Sequence, residues 1–594
     1  MRHGLALAAL ITAVLARPAA AIPPAPFGHA CRAENGVRFC PTTADAQRVS
    51  SFDGVPLDVD VTLPPGGDGP FPTIVMLHGL GGSKSNFEGT SPAGHYDNVF
   101  YARRGYAVVN YSARGYGRSC GPTAPHVGAC ARGWTHLADQ RYEVRDTQHL
   151  LGVLVDEGVA RAGALGVTGV SYGGGQVQSL ARLRDRVRLR NGRLVRWRSR
   201  AGRPLRIAAA FSVIGWSDLT YALVPNGRFL DFHDAALAHS RRPLGIEKQS
   251  YVNGLYLVNQ LRSYLAPPGA DPTADLTTWR RISDAGEPYG ADALRLAREL
   301  TVFHSAAGLG RATAPLLLQS GFTDDLFPPE ESLRAYQTFG RVPRAYVALQ
   351  LGDLGHPRGG NKANTRIYFN DQGARFFDAL LKHSGRPPRN RSVTAFTLTC
   401  PKAAPGGGPY RARSWRRLHP GAFRFGGRRV QRVSSAGGNP ATAAAFDQVA
   451  SGDPCLTVPA ERAPGTAIYE RRVRHSFLML GLPTVRASIR TMGRFGELAV
   501  RLWDVADGRQ RLISRGAYRM RNGQRGRISF QLFGNGWRFS RGHVVKLEVL
   551  GRDPRFLRPS NGTFSVRVGR LAIELPTREG PSRRRGISRP RIAP

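Results

Sequence analysis

Six short apolar runs, at residues 73–77, 106–111, 165–170, 207–214, 315–319 and 346–351, recur along the first 350 residues of the chain. Each is nearly continuous in Val, Ile, Leu, Ala and aromatic residues, without the polar alternation of a half-exposed strand. That pattern belongs to strands buried on both faces, and their alternation with helical segments predicts a mostly parallel sheet covered by helices. Around Asp53-Gly54, residues 49–64 read as two strands joined by a tight turn. The rhythm breaks once, over about 229–309, where a long helical stretch carries Tyr251, Tyr256, Tyr264 and Trp279. It reads as a cap inserted between two strands.

Past residue 385 the character changes. Runs such as Glu497-Leu-Ala-Val-Arg-Leu-Trp503, 527–532 and 544–550 are separated by Gly, Asn and Asp turns, the pattern of an all-β sandwich of jelly-roll type. The expected organisation is therefore a leader at 1–21, an α/β catalytic domain at 22–385, a jelly-roll sandwich at 386–576 and a disordered basic tail at 577–594. The leader follows from Arg2 and His3, an apolar run at 5–16 and Ala19-Ala20-Ala21 before Ile22-Pro23-Pro24, the layout of a signal peptide cleaved near Ala21. No later stretch has the length of a membrane span. Six cysteines fit an exported, disulfide-bonded chain. Cys31 with Cys40, Cys120 with Cys130 and Cys400 with Cys455 are the local pairings among fifteen connectivities.

The chain carries 84 Lys plus Arg against 42 Asp plus Glu, a net charge of +42. The basic residues are spread over the whole length without a nucleic-acid-binding motif, so no specific nucleic acid is expected as a partner. The densest stretch, 182–206, sets Arg among Val, Leu and Trp around Asn191-Gly192 and reads as a basic hairpin. Electrostatic association with an anionic cell surface is the partner class that this charge implies.

The chemistry is carried by Gly169-Val170-Ser171-Tyr172-Gly173, with an apolar strand before Ser171 and a helix after it. This is the setting of a nucleophile elbow: the glycines permit a sharp turn that exposes the serine hydroxyl at the sheet's edge. A serine needs a base and the base an orienting acid. Ser320-Gly-Phe-Thr-Asp324-Asp325 follows one late strand and Gly352-Asp-Leu-Gly-His356-Pro357 the next, so Ser171, Asp324 and His356 stand in the order that an α/β-hydrolase requires. Asp325 is the alternative acid, since successive side chains of an extended loop face opposite ways. Asp353 is assigned to its own loop. The oxyanion of an attacked carbonyl needs donors, and His78-Gly79-Leu80-Gly81-Gly82 after the first core strand offers them. The backbone N–H groups of Tyr172 and Leu80 are the candidates. No cofactor or metal is implied: Gly82-Ser83-Lys84-Ser85 lacks the ending of a phosphate loop, and no His-Glu-x-x-His occurs.

Gly-Val-Ser-Tyr-Gly-Gly at 169–174, Arg114-Gly-Tyr-Gly-Arg-Ser119, Gly321-Phe-Thr-Asp-Asp325, Gly355-His356 and the β C-terminal third together resemble the Xaa-Pro dipeptidyl-peptidase family of serine peptidases and its cocaine-esterase-like relatives. In the β region the resemblance rests on 498–504, Ser514-Arg-Gly516 and Gly542-His543. It implies an α/β-hydrolase fold with a helical cap, a Ser171–His356–Asp324 triad, and cleavage of an amide or ester acyl bond in a peptide or small substrate. Several family members use a tyrosine side chain as oxyanion donor where this chain has His78-Gly79-Leu80, so that donor is assigned to backbone here. Dipeptidyl-peptidase activity needs acids to hold the substrate amine, for which Asp231, Asp234, Glu247, Asp284 and Glu287 of the cap are available. The expectation is a secreted serine hydrolase of Xaa-Pro dipeptidyl-peptidase type. The alternatives are an ester hydrolase or acylase and, from another class, a non-catalytic cell-wall or glycan-binding protein.

Overall fold

A computed structural model describes residues 25–90, 94–228, 230–231, 244–309, 313–447, 449 and 452–591. The signal peptide proposed at 1–21 lies outside the described residues. All six apolar runs are strands of one eleven-stranded sheet. Phe71–Leu77, Ala107–Tyr111, Ala160–Val170, Ile207–Val213, Leu316–Gly321, Val347–Gly352 and Val393–Thr397 pair in parallel, and the remaining strands add antiparallel edges. Successive residues of a strand point to opposite faces. Val75 and Leu77 accordingly join one core with helices α2 (Glu143–Asp156), α3 (Tyr172–Leu183) and α8 (Pro329–Phe339). Ile74 and Met76 join another with α1 (Asn98–Arg103) and α9 (Ala363–Leu381). Both faces are covered, which is why these runs are apolar on both faces and not on alternate residues alone.

Between strands Ile207–Val213 and Leu316–Gly321 the chain leaves the sheet and forms α4 (Leu219–Leu223), α5 (Gln249–Arg262), α6 (Leu276–Ala285) and α7 (Ala291–Phe303). This is the cap, and its first helix begins ten residues before the expected boundary.

The C-terminal region is a two-sheet antiparallel sandwich. Glu497–Ala506, Arg525–Gln531 and Val544–Leu550 are strands, as expected. Val485, Ile489 and Phe530 from one sheet pack against Leu498, Val500 and Leu547 from the other. Two boundaries need correction. Strands Val393–Thr397 and Gly407–Ala412 extend the first sheet, so the sandwich begins near 421 and not at 386. The polar, Pro-containing stretch at 382–391 is only the return from α9 to an edge strand, and a short edge strand has no sequence pattern that distinguishes it from a sandwich strand. The tail expected to be disordered from 577 is ordered to 591: Ile587 pairs with Phe423 and is buried, a single apolar anchor in a basic, Pro-rich segment.

All six cysteines form disulfides, Cys31–Cys40, Cys120–Cys130 and Cys400–Cys455. The basic hairpin forms from Arg186–Arg188 and Leu194–Arg196. No helix among the described residues is long and apolar enough to cross a membrane.

Candidate active site

Ser171 sits between the end of strand Ala160–Val170 and the first residue of α3, with φ 57° and ψ −110°. A non-glycine residue holds such a conformation only when its surroundings enforce it. Here they do: a Cβ on Gly173 would lie 2.2 Å from the carbonyl oxygen of Leu77, and one on Gly169 would lie 2.7 Å from the Gly173 backbone. The turn therefore closes against the neighbouring strand and lifts the serine side chain off the sheet.

The Ser171 hydroxyl lies 2.8 Å from His356 Nε2, and His356 Nδ1 lies 2.7 Å from Asp324 Oδ2. With the imidazole carrying its proton on Nδ1, it donates to Asp324 and accepts from Ser171, the tautomer that this network assigns. Asp324 Oδ1 accepts the backbone N–H groups of Leu326 and Phe327, both at 3.0 Å. The Phe327 ring meets the imidazole edge-on with centroids 5.1 Å apart. The ring is thus fixed from both its acid and its flank.

Asp325 turns the other way. Its carboxylate accepts Arg515 Nε at 2.7 Å and lies 3.2 Å from Arg358 Nη1. Asp353 accepts Thr323 Oγ1 at 2.6 Å and the N–H of Gly360 at 2.8 Å, holding the loop that carries His356. Lys248 is buried, and its ammonium donates to the carbonyls of Asp325 (2.7 Å) and Leu326 (2.9 Å). Burial pulls its pKa down to about 8.

Tyr172 and Leu80 both border the cavity that opens on Ser171. The loop carrying Leu80 is held by a residue whose part the sequence did not disclose. His78 is buried, donates from Nδ1 to the carbonyl of Gly79 (2.7 Å) and accepts the N–H of Ala113 on Nε2 (2.9 Å). Both ring nitrogens are engaged by the neutral form, and burial lowers its pKa to about 4. Tyr116 of the Arg114–Ser119 motif meets the His78 ring edge-on and donates its hydroxyl to Asn259 of α5 at 2.7 Å. Arg114 is buried between Asp53 and Asp146. The motif thus ties the loop carrying Leu80 to the cap; in the sequence it stood out as one of the motifs that carry the family resemblance, with no sign of this contact.

The cavity lies under the cap. From α5, Val252, Leu255, Tyr256 and Asn259 face it, and from α6, Leu276, Trp279 and Ser283, both sets at the i, i+3 or i+4, i+7 spacing of one helix stripe. Among the described residues no Asp or Glu lines it, and Arg280 is the one charged residue that does. Three of the cap acids are engaged elsewhere. Asp231 accepts from Gln531, Asp284 from Gln249, and Glu287 pairs with Arg519 and Arg558. Glu247 is buried outside the lining, where burial raises its carboxyl to about 7. Asp234 lies outside the described residues.

Among the described residues, one group has metal-ligand proximity: Asp139, Glu299 and His304. The Arg141 guanidinium already bonds both carboxylates, and a cation there would have to displace it.

Residues 53–188 match the family model of the X-Pro dipeptidyl-peptidases, the S15 family. The chain is a hydrolase of the serine peptidase or esterase type. No curated protein matches its sequence. Among solved structures, a CocE/NonD family hydrolase from Staphylococcus aureus superposes with a TM-score of 0.57 at 12% identity, over 91% of this chain and 94% of that one. An α-amino acid ester hydrolase superposes with a TM-score of 0.55 at 15% identity, over 95% and 100%. An aminopeptidase from the marine sediment archaeon Thaumarchaeota archaeon gives 0.55 at 14%, over 95% and 99%. These likenesses establish the α/β-hydrolase fold with its all-β C-terminal region. The family match ends at 188 and so leaves out the cap, which forms most of the cavity wall.

Proposed function

We propose that this hydrolase cleaves an ester or amide acyl bond through an acyl-enzyme on Ser171, with an apolar part of the substrate held under the cap. Ser171 Oγ attacks the carbonyl carbon while His356 Nε2 takes its proton. Asp324 stabilises the resulting imidazolium, and the N–H groups of Tyr172 and Leu80 receive the oxyanion. The imidazolium then protonates the leaving group, and a water activated by the same histidine releases the acid.

One observation carries the choice of substrate: among the described residues, the cavity that opens on Ser171 is walled mainly by aliphatic and aromatic side chains, and no carboxylate lines it. A dipeptidyl-peptidase must place a substrate ammonium beside the reacting bond, and burying that charge without a counter-charge is strongly unfavourable. The ester hydrolase or acylase reading therefore ranks above the dipeptidyl-peptidase reading that the family resemblance implies. The assembled Ser171–His356–Asp324 geometry favours either over a binding protein on the same scaffold.

Initial rates on p-nitrophenyl butyrate and Gly-Pro-p-nitroanilide, with Ser171→Ala alongside, test this. Ester cleavage that disappears with Ser171 is the expected result. Cleavage of the anilide that requires its free amine would restore the dipeptidyl-peptidase reading.

We also propose export. Three disulfides and the leader-like residues 1–21 support it. A mature protein beginning at Ile22 on N-terminal sequencing is the expected outcome.

A further inference from the structure

Ala293, Leu296, Ala297 and Leu300 of α7 all face the cavity. Their spacing of i, i+3, i+4 and i+7 is the stripe that an amphipathic helix ordinarily buries against its neighbours. Here it borders the cavity, as do the matching stripes of α5 and α6, while Leu300 and Leu255 also touch the core at one edge. The cap is therefore hollow, and its hollow runs along α7.

One end of that hollow is fixed at the reaction centre. Past Leu300, the carbonyl of His304 accepts Trp216 Nε1 at 2.7 Å. The Trp216 ring packs on Phe327 with centroids 4.9 Å apart, and Phe327 packs on His356. The other end lies at Ala293 and Tyr289, where the Tyr289 hydroxyl donates to the carbonyl of Gly245 at 3.0 Å. From Leu300 back to Ala293 a helix advances about 10 Å at ~1.5 Å per residue, the length of roughly eight methylenes in an extended chain.

Several polar groups that line this cavity are already engaged with the protein, among them Arg280, whose Nε donates to Asn253 Oδ1 at 2.9 Å. Thr220 Oγ1 donates to the carbonyl of Ala297 at 2.9 Å, the Tyr256 hydroxyl bonds Thr277 Oγ1 at 2.9 Å, and Asn259 serves Tyr116 and the Leu255 carbonyl. Apart from Arg280 and Ser283, what the lining leaves for a ligand is mostly hydrocarbon. Ala293 and Ala297 are the small residues that keep the path open.

We infer that the space along α7 is an acyl-chain subsite, and that the substrate is an ester or amide of an unbranched medium-chain acyl group of about six to ten carbons. This rests on the acyl-hydrolase reading above and adds the identity of the group transferred to Ser171. Each methylene that leaves water for this channel favours binding by up to about fourfold.

The test is a series of p-nitrophenyl esters from acetate through butyrate and octanoate to palmitate, with a fluorophosphonate probe reporting Ser171 in every preparation. Expected is a kcat/KM at least about tenfold higher for octanoate than for acetate, falling again at palmitate, whose chain outruns the wall at Tyr289. Ala293→Phe blocks the far end and Ala297→Phe the middle. Both are expected to lower the octanoate-to-butyrate ratio in kcat/KM, Ala297→Phe the more strongly because it lies nearer Ser171. Two variants at separate depths guard against one that fails to fold, and retained probe labelling identifies a folded one. A flat profile from acetate to octanoate with Ser171 labelled, or a ratio unmoved by both variants, overturns the subsite while leaving the hydrolase reading intact. Absence of both labelling and ester cleavage overturns the two together.

Discussion

Arg515, on a sandwich strand, donates from Nε to the carboxylate of Asp325 at 2.7 Å, and Asp325 is the immediate neighbour of the acid that faces His356. Asp325 also binds Arg358, two residues beyond His356, and its carbonyl accepts from Lys248 ahead of α5. Three parts of the molecule thus meet on the loop that presents Asp324: the sandwich, the histidine loop and the cap. The sandwich is consequently a part of what fixes the acid in place.

Removing Arg515 leaves a buried carboxylate with one fewer counter-charge, and breaking such a pair costs about 3–5 kcal/mol. Arg515→Met is expected to lower the unfolding free energy by that order and to reduce kcat while KM moves little, since Arg515 does not border the cavity. Arg515→Lys should recover part of both. Chemical unfolding and steady-state kinetics on an ester substrate check this, and a change confined to KM would contradict it.

Ser171→Ala and Asp324→Asn separate the parts of the triad. Loss of either group is expected to reduce kcat by roughly 10⁴-fold or more, because the members act as a unit. Thermal unfolding of Ser171→Ala should stay near that of the parent protein. Asp325→Asn should differ from Asp324→Asn by losing stability as well as rate, because Arg358 and Arg515, both buried, lose a counter-charge.

His78 makes stability depend on pH. Its pKa falls from 6.5 to about 4 on burial. Below 6.5 the unfolded chain binds a proton there that the folded chain refuses until about pH 4. Stability from this group is therefore complete above pH 6.5 and is lost as pH falls towards 4, by up to about 3 kcal/mol. His78→Leu removes that titration, so its unfolding temperature should decline less steeply between pH 7 and 4.5. It should also lower kcat, because the loop carrying Leu80 loses its anchor.

The Cys400–Cys455 bridge spans 55 residues and joins the first sheet's edge region to the sandwich. On a chain-entropy account a loop of that length contributes about 4 kcal/mol. Cys455→Ser is expected to lower the unfolding free energy by that order, with a smaller effect for Cys31→Ser, whose loop spans nine.

The sheet was legible because a strand buried on both faces is apolar on successive residues and not on alternate ones, and the runs at 73–77 and 165–170 carry that signature without reference to anything distant. The elbow was legible for a similar reason: Gly169 and Gly173 are demanded by a turn of five residues, whose clash is with the adjoining strand. Chain order then placed Asp324 and His356 after the right strands.

The cap's contents were not legible. α7 shows the same i, i+3, i+4, i+7 stripe whether it covers a packed core or a hollow, and periodicity records only which face avoids water. The edge strands at 393–412 and the anchor at Ile587 were likewise too short to announce their sheet.

What the sequence by itself determined is the layered α/β architecture and the strand-end positions of Ser171, Asp324 and His356, because each depends on residues close together in the chain. Only the tertiary structure decided that Asp324 and not Asp325 faces the imidazole, that His78 holds the loop carrying Leu80, and that Arg515 reaches the acid loop from the sandwich. Those outcomes depend on which charges and ring nitrogens meet across 30 to 200 residues, and neither composition nor spacing specifies such a meeting.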